Sequence, residues 1–380
     1  MAQRVAICAV AQLKNDSNLW YKRFQEMCFD VVEQIVNTTG VDWNEEDGIY
    51  DIITCSDDIF DARTISDNGV TDAVGAHYRG EEKMAQDGIN GLGYAASCIL
   101  SGHDDVVLVV GHTKESQTES RNMCTNLAFD PFYCRPIGMD YENTAALQAR
   151  AYMKKAGITE EQLAKVVVNA RANAAKNPFA NARELVTIEQ VVNSPMLCDP
   201  IRELHAYPVS DGAVAFLLVS EDRCLEFTDK PVWITGFGNC MDSYFLGDKD
   251  LCSNFAMKKA AARAYKMAGV KDPKSFDIVE ITDRYAYQLP MWAEGLGLCD
   301  ENSGGKWIDG GGLEKMNVNR SGGMLSGNPI MIAGMSRAAE AVLQLRGEAE
   351  GRQAASAKRA VAHGTTGPVG QHQAVLVLEA

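Results

Sequence analysis

An α/β protein made of two similar halves is the fold class this sequence predicts, and three observations carry it. Helical apolar spacing alternates with short buried-strand runs along the whole 380 residues. A hydrophobic content of 46% with 33 glycines suits a compact chain with many tight connections. The segment 24–58 is echoed in layout by 254–284.

Taken in order, "RVAICAV" opens the chain with an apolar strand, and "FQEMCFDVVEQIVNTTGV" follows as an amphipathic helix ended by Gly40. A turn then leads to a strand opening Asp51-Ile52. Another helix starts just after Asp87-Gly88, with Leu92, Ala95, Ala96, Ile99 and Leu100 at helical spacing. Val106 to Val110, bounded by Gly102 and Gly111, is a buried strand. Residues 116–152 are long, mixed and aromatic-rich, and helical spacing resumes near Glu142.

The second half repeats the plan. "PVWITGFG" is its opening strand, Gly269 ends its first helix, and Asp277-Ile278 opens the next strand. "SGNPIMIAG" matches "AQDGING" as a glycine-punctuated helix start, and "AVLVLEA" closes the chain as a strand. We therefore expect an N-terminal half at 1–225 and a C-terminal half at 226–380, with a site fed by loops from both.

Composition narrows the function. A formal net charge of −15 without any Lys/Arg block argues against nucleic acid or an anionic membrane as partner. No signal-peptide pattern and no run of about 18 apolar residues is present, so a cytoplasmic location is expected. The 11 cysteines have irregular spacing and no CxxC pair, which predicts reduced thiols and no metal site in this chain.

The start of the helix after Asp87 poses the chemical question. A helix N-terminus lowers a thiol pKa and offers N–H groups to an oxyanion, so it is a good place for a nucleophile. This start holds Ala85, Gln86, Asp87 and Gly88, and neither Ser nor Cys.

Six segments, "SGHDDVVLVVG", "PVSDGAVAFLLVSE", "EGLGLCDE", "NRSGGMLSGNPI", "QLRG" and "HGTTGPVGQH", together resemble the thiolase superfamily in order and spacing. The likeness is to its sterol-carrier-protein-type branch and covers nearly the whole chain. It implies a five-layered αβαβα fold of two similar halves, a homodimer, and chemistry on carbon–carbon bonds beside CoA thioesters. Coenzyme A would be substrate or product, with no cofactor bound in this chain. The family's nucleophilic cysteine, 17 positions before Gly102, falls on Ala85. Its His-Asp-Cys-Phe motif becomes Thr282-Asp283-Arg284-Tyr285, and its Gly-His-Pro becomes Gly327-Asn328-Pro329.

The surviving groups suggest roles. Asn328, with backbone N–H groups near Gly88 and Gly364, is a candidate donor to an enolate oxygen. His363, read as a glycine-flanked loop histidine, is the first candidate proton carrier; a solvent-facing or structurally bonded His is the alternative. Tyr285 is a second candidate or else a packed core tyrosine; Asp283 transfers protons or orients backbone; Asp87 does chemistry or simply caps its helix. Cys98 and Cys299 read as core residues. By analogy, 116–150 covers the CoA channel, where Arg121 and Arg135 either meet phosphates or are ordinary surface arginines.

Three functions stay open: β-ketoacyl-CoA thiolysis or acyl transfer, cysteine-independent retro-aldol cleavage of a β-hydroxyacyl-CoA, and a non-catalytic acyl-CoA-binding scaffold. The resemblance also implies a small zinc-finger/OB-fold partner subunit, with any zinc held there.

Overall fold

The computed structural model describes residues 4–43, 48–56, 66–118, 120–327 and 329–380. Its strands are β1 (Val5–Gln12), β2 (Asp51–Cys55), β3 (Gly80–Met84), β4 (Val106–Lys114), β5 (Met196–Cys198), β6 (Ile201–Arg202), β7 (Asp211–Ser220), β8 (Val232–Met241), β9 (Ile278–Glu280), β10 (Arg359–Thr366) and β11 (His372–Glu379). Nine of them form one mixed sheet in the order β3-β2-β4-β7-β1-β8-β11-β10-β9, and β5 pairs with β6.

Read outward from the central antiparallel β1–β8 pair, the two arms match. One runs β1, β7, β4, β2 and the other β8, β11, β10, β9. In each arm the outermost matched pair is parallel, β2 with β4 and β9 with β10, and the rest are antiparallel.

The helices repeat with the strands. Helix Phe24–Thr39 ends at Gly40 (φ 65°) and helix Phe255–Ala268 at Gly269 (φ 65°). Helix Gly88–Ser101 ends at Gly102 (φ 74°) and helix Ala333–Arg346 at Gly347 (φ 73°). A left-handed residue without Cβ strain terminates each, as the sequence predicts for the first pair.

Burial shows the layering. Helices Gly88–Ser101 and Ala333–Arg346 share one core with β4 and β7 on one side and β10 and β11 on the other. The opposite face of the first arm packs on helix Phe24–Thr39. The opposite face of the second arm packs on helices Tyr141–Ala156, Glu160–Ala174, Phe255–Ala268 and Gln288–Gly295. The result is the αβαβα sandwich expected, with a central pair of equivalent helices whose N-termini meet. Among the described residues no helix is long and apolar enough to cross a membrane.

Candidate active site

At that meeting point lies a cavity of about 250 Å³. Four sequence segments line it: Ala85 and Gln86 before the first central helix, Arg284 after β9, Ile330 and Met331 before the second central helix, and Thr366, Gly367, Gln371 and His372 from the β10–β11 turn. Tyr141 and Met241 complete the wall. Larger hollows beside helix Phe24–Thr39 gather residues only from that helix and the loops around it.

Asp87 builds the floor. Its Oδ1 accepts from the Ile89 N–H at 3.0 Å and its Oδ2 from the Gly334 N–H at 3.0 Å, so one carboxylate caps both central helices. A Cβ on Gly334 or on Gly364 would lie 1.9 Å from Asp87 Oδ1, which is why both positions are glycine. The carboxylate is fully buried, and burial pushes its pKa up to about 6 against the pull of those two N–H bonds. The Gly88 N–H, expected to face an oxyanion, instead donates to Met331 O at 3.2 Å. Helix docking has used the Gly88 donor that the sequence reading left for a ligand.

His372 is the histidine at the cavity. Asn239 Nδ2 donates to Asn90 Oδ1 (3.2 Å), and Asn90 Nδ2 points at Asp87 O (3.3 Å) and His372 Nδ1 (3.4 Å). That relay fixes the amide orientation, makes Nδ1 the acceptor, and leaves the proton on Nε2. Burial lowers the His372 pKa, so the ring is a neutral donor at pH 7.

His363 behaves otherwise than the sequence reading expects. It sits on strand β10 rather than in a loop, is fully buried, and does not line the cavity. Its Nδ1 accepts from the Thr282 N–H (3.3 Å) and its Nε2 faces Gln373 Oε1 (2.7 Å) beneath the Trp292 ring. Burial holds its pKa down to about 4, far from titration at neutral pH. Thr282 completes the latch by donating its hydroxyl to His363 O at 2.7 Å.

The other candidates divide similarly. Tyr285 packs between Tyr207 and Tyr287, and burial drives its pKa well up, so it is the core tyrosine of the two alternatives. Asp283 accepts from the Met324 N–H at 2.6 Å and orients the 319–324 loop; burial raises its pKa to about 7. Arg121 turns inward onto Glu115 (2.6 Å), Tyr207 O (2.9 Å) and the Tyr207 ring. Arg135 satisfies Phe129 O (2.8 Å) and Leu127 O, carbonyls left over after a short helix. Neither arginine lines the cavity. Asn328 lies outside the described residues, and its neighbours Ile330 and Met331 line the cavity.

No cysteine lines the cavity, Cys98 and Cys299 included. Among the described residues Asp51, His103 and Asp104 form a group of metal-ligand type, but they belong to the β2 end of the sheet and not to the cavity.

Residues 239–380 match the family model described as thiolase C-terminal domain-like. An acetyl-CoA acetyltransferase of Methanothermobacter thermautotrophicus is 32% identical over 97% of this chain and 98% of its own length. The benzoylsuccinyl-CoA thiolase subunit BbsB of Thauera aromatica is 31% identical over 58% of this chain and 59% of its own. Among solved structures, the Ltp2-ChsH2(DUF35) aldolase superposes with a TM-score of 0.83 at 22% identity, covering 99% of this chain and 98% of that one.

Proposed function

This chain belongs to the thiolase superfamily, and from that premise we propose that it is an enzyme subunit that breaks or makes the C–C bond beside a CoA thioester by an aldol-type step, with no acyl group carried on a cysteine. One observation carries the reading. Where four segments converge, the wall next to the helix start is Ala85, and the cavity keeps donors and a phenol but holds no thiol. Thiolysis through an acyl-enzyme needs a thiolate there.

A retro-aldol step needs less. A base takes the β-hydroxyl proton, the O–H electrons form the new carbonyl, and the Cα–Cβ pair passes to the thioester as an enolate. Protonation at Cα then yields the shorter acyl-CoA. The His372 Nε2–H is the donor we assign to the enolate oxygen, with Asn328 as the second. One such donor is worth about 3–4 kcal/mol of barrier. Tyr141, with the Arg284 guanidinium 5.2 Å from its ring centroid, is assigned to move the β-oxygen proton. Asp87, Asp283 and His363 position these groups without touching substrate.

A second polypeptide belongs to this reading. One relative is named as a subunit and the superposed aldolase carries a two-component name, which supports a multi-subunit assembly. We extend this to a homodimer with a small zinc-finger/OB-fold partner.

The test uses the protein with any subunit that co-purifies. A β-hydroxyacyl-CoA should give an aldehyde or ketone and the shortened acyl-CoA in equal amounts, with no mass increment on the chain. A thioester adduct mapped to any cysteine would return the mechanism to acyl transfer. Binding without turnover would leave the scaffold.

A further inference from the structure

Arg284 occupies the position of the family-motif cysteine, lines the cavity, and is 4% exposed. Its Nη2 donates to Thr365 O at 2.7 Å and its Nη1 reaches Gly367 O at 3.4 Å, while its Nε is buried with no partner. Both acceptors are neutral carbonyls. Among the described residues no carboxylate lies within ion-pair distance of this guanidinium.

The contrast is internal. Arg337 and Arg352, buried to the same degree, pair with Glu280 at 3.1 Å and Glu340 at 2.8 Å. Asp87 is the acid that Arg284 influences from farther away, and both Asp87 oxygens are committed to helix N–H groups. A buried cation without a counter-charge is costly to keep, and arginine cannot shed its proton to escape the cost. The Tyr141 ring stabilises the cation but supplies no anion.

We infer that the acyl group entering this cavity carries a carboxylate, which the Arg284 guanidinium binds as its missing counter-charge. The substrate class is then a monothioester of CoA with a short dicarboxylic acid. This inference rests on the CoA-thioester reading above.

Titration calorimetry of the purified full chain, with any co-purifying subunit, against malonyl-CoA, succinyl-CoA and butyryl-CoA tests it. The better of the two acids should bind at least tenfold more tightly than butyryl-CoA, the scale of one charge-assisted pair. Arg284→Gln should abolish that preference and leave butyryl-CoA affinity within about threefold; Arg284→Lys should keep part of it. Equal affinity of wild type for acid and neutral thioesters overturns the carboxylate inference and leaves the CoA reading standing. Equal loss of all ligands in Arg284→Gln, in a variant with wild-type thermal unfolding, overturns it too, by showing a contact to CoA itself. Failure of wild type to bind any thioester removes both.

Discussion

Replacing Asp87 by asparagine sets two physical effects against each other at one atom. Two helix N-termini point N–H groups at the carboxylate and favour its ionised form, whereas complete burial favours the neutral form. Burial wins, and the pKa rises from 3.8 to about 6. At about 1.4 kcal/mol per pH unit this is about 3 kcal/mol. Because the folded-state pKa is the higher one, the stabilising contribution is full below pH 3.8 and is lost as pH rises through about 6. Asparagine keeps one acceptor and gives up the second N–H, a cap loss of about 1 kcal/mol that does not depend on pH. The stability of wild type minus that of Asp87→Asn should therefore fall by about 2.5 kcal/mol between pH 4 and pH 7.5, the rest of the roughly 3 kcal/mol lying below pH 4, and the variant should be the more stable protein at the upper end. Urea unfolding of both proteins across that range, with matched m-values, measures the difference while other titrating groups cancel. A gap that stays constant, or widens as pH rises, would refute the reasoning and show that the two helix N-termini hold Asp87 ionised.

Two further outcomes bear on the chemistry. His372→Ala should lower kcat by ~10²–10³ with KM nearly unchanged, as expected for a donor used in the transition state; steady-state kinetics decide it, and full activity would remove His372 from the site. Ala85→Cys should gain an acyl mass increment with acyl-CoA that wild type lacks, because the new thiol faces the cavity at a helix start; mass spectrometry showing CoA binding but no adduct would detach Ala85 from the nucleophile position.

Much of the fold was legible because its punctuation is local. Gly40 and Gly269 end equivalent helices at the same φ of 65°, and the paired Asp-Ile strand openings lie at β2 and at the entry to β9. A site fed by loops of both halves was expected from the duplication, and segments of both halves line the cavity. Which side chain of each segment reaches the cavity was not legible. His363 read as a glycine-flanked loop histidine, but "HGTTGPVGQH" is the end of β10, a turn, and the start of β11. Strand alternation then decides the matter. His363 shares a face with Val361 and packs toward the outer helices, whereas His372 shares a face with Ala374 and Leu376 and turns toward the central ones. Recognising the hairpin from Gly367 and Gly370 would have supplied that parity. The partners of Arg121 and Arg135 were not legible either: a side chain reaching back six residues to Glu115 or Phe129, or across the fold to Tyr207 O, leaves no mark in residue spacing.

Strand β1 has a place in the sheet that matters while the chain is still being made. Val5 pairs with Ser220 on one side and with Ile234 on the other. Strand β1 therefore waits for partners synthesised more than 200 residues later, roughly 10–40 s at ordinary elongation rates. During that interval Ala6, Cys8 and Ala9 can meet helix Phe24–Thr39, their core neighbour, but β1 has no strand on either side. The nascent chain thus carries a strand with two unpaired edges until β7 and β8 have been made, and closing that strand into both arms at once joins the folding of the first half to the arrival of the second.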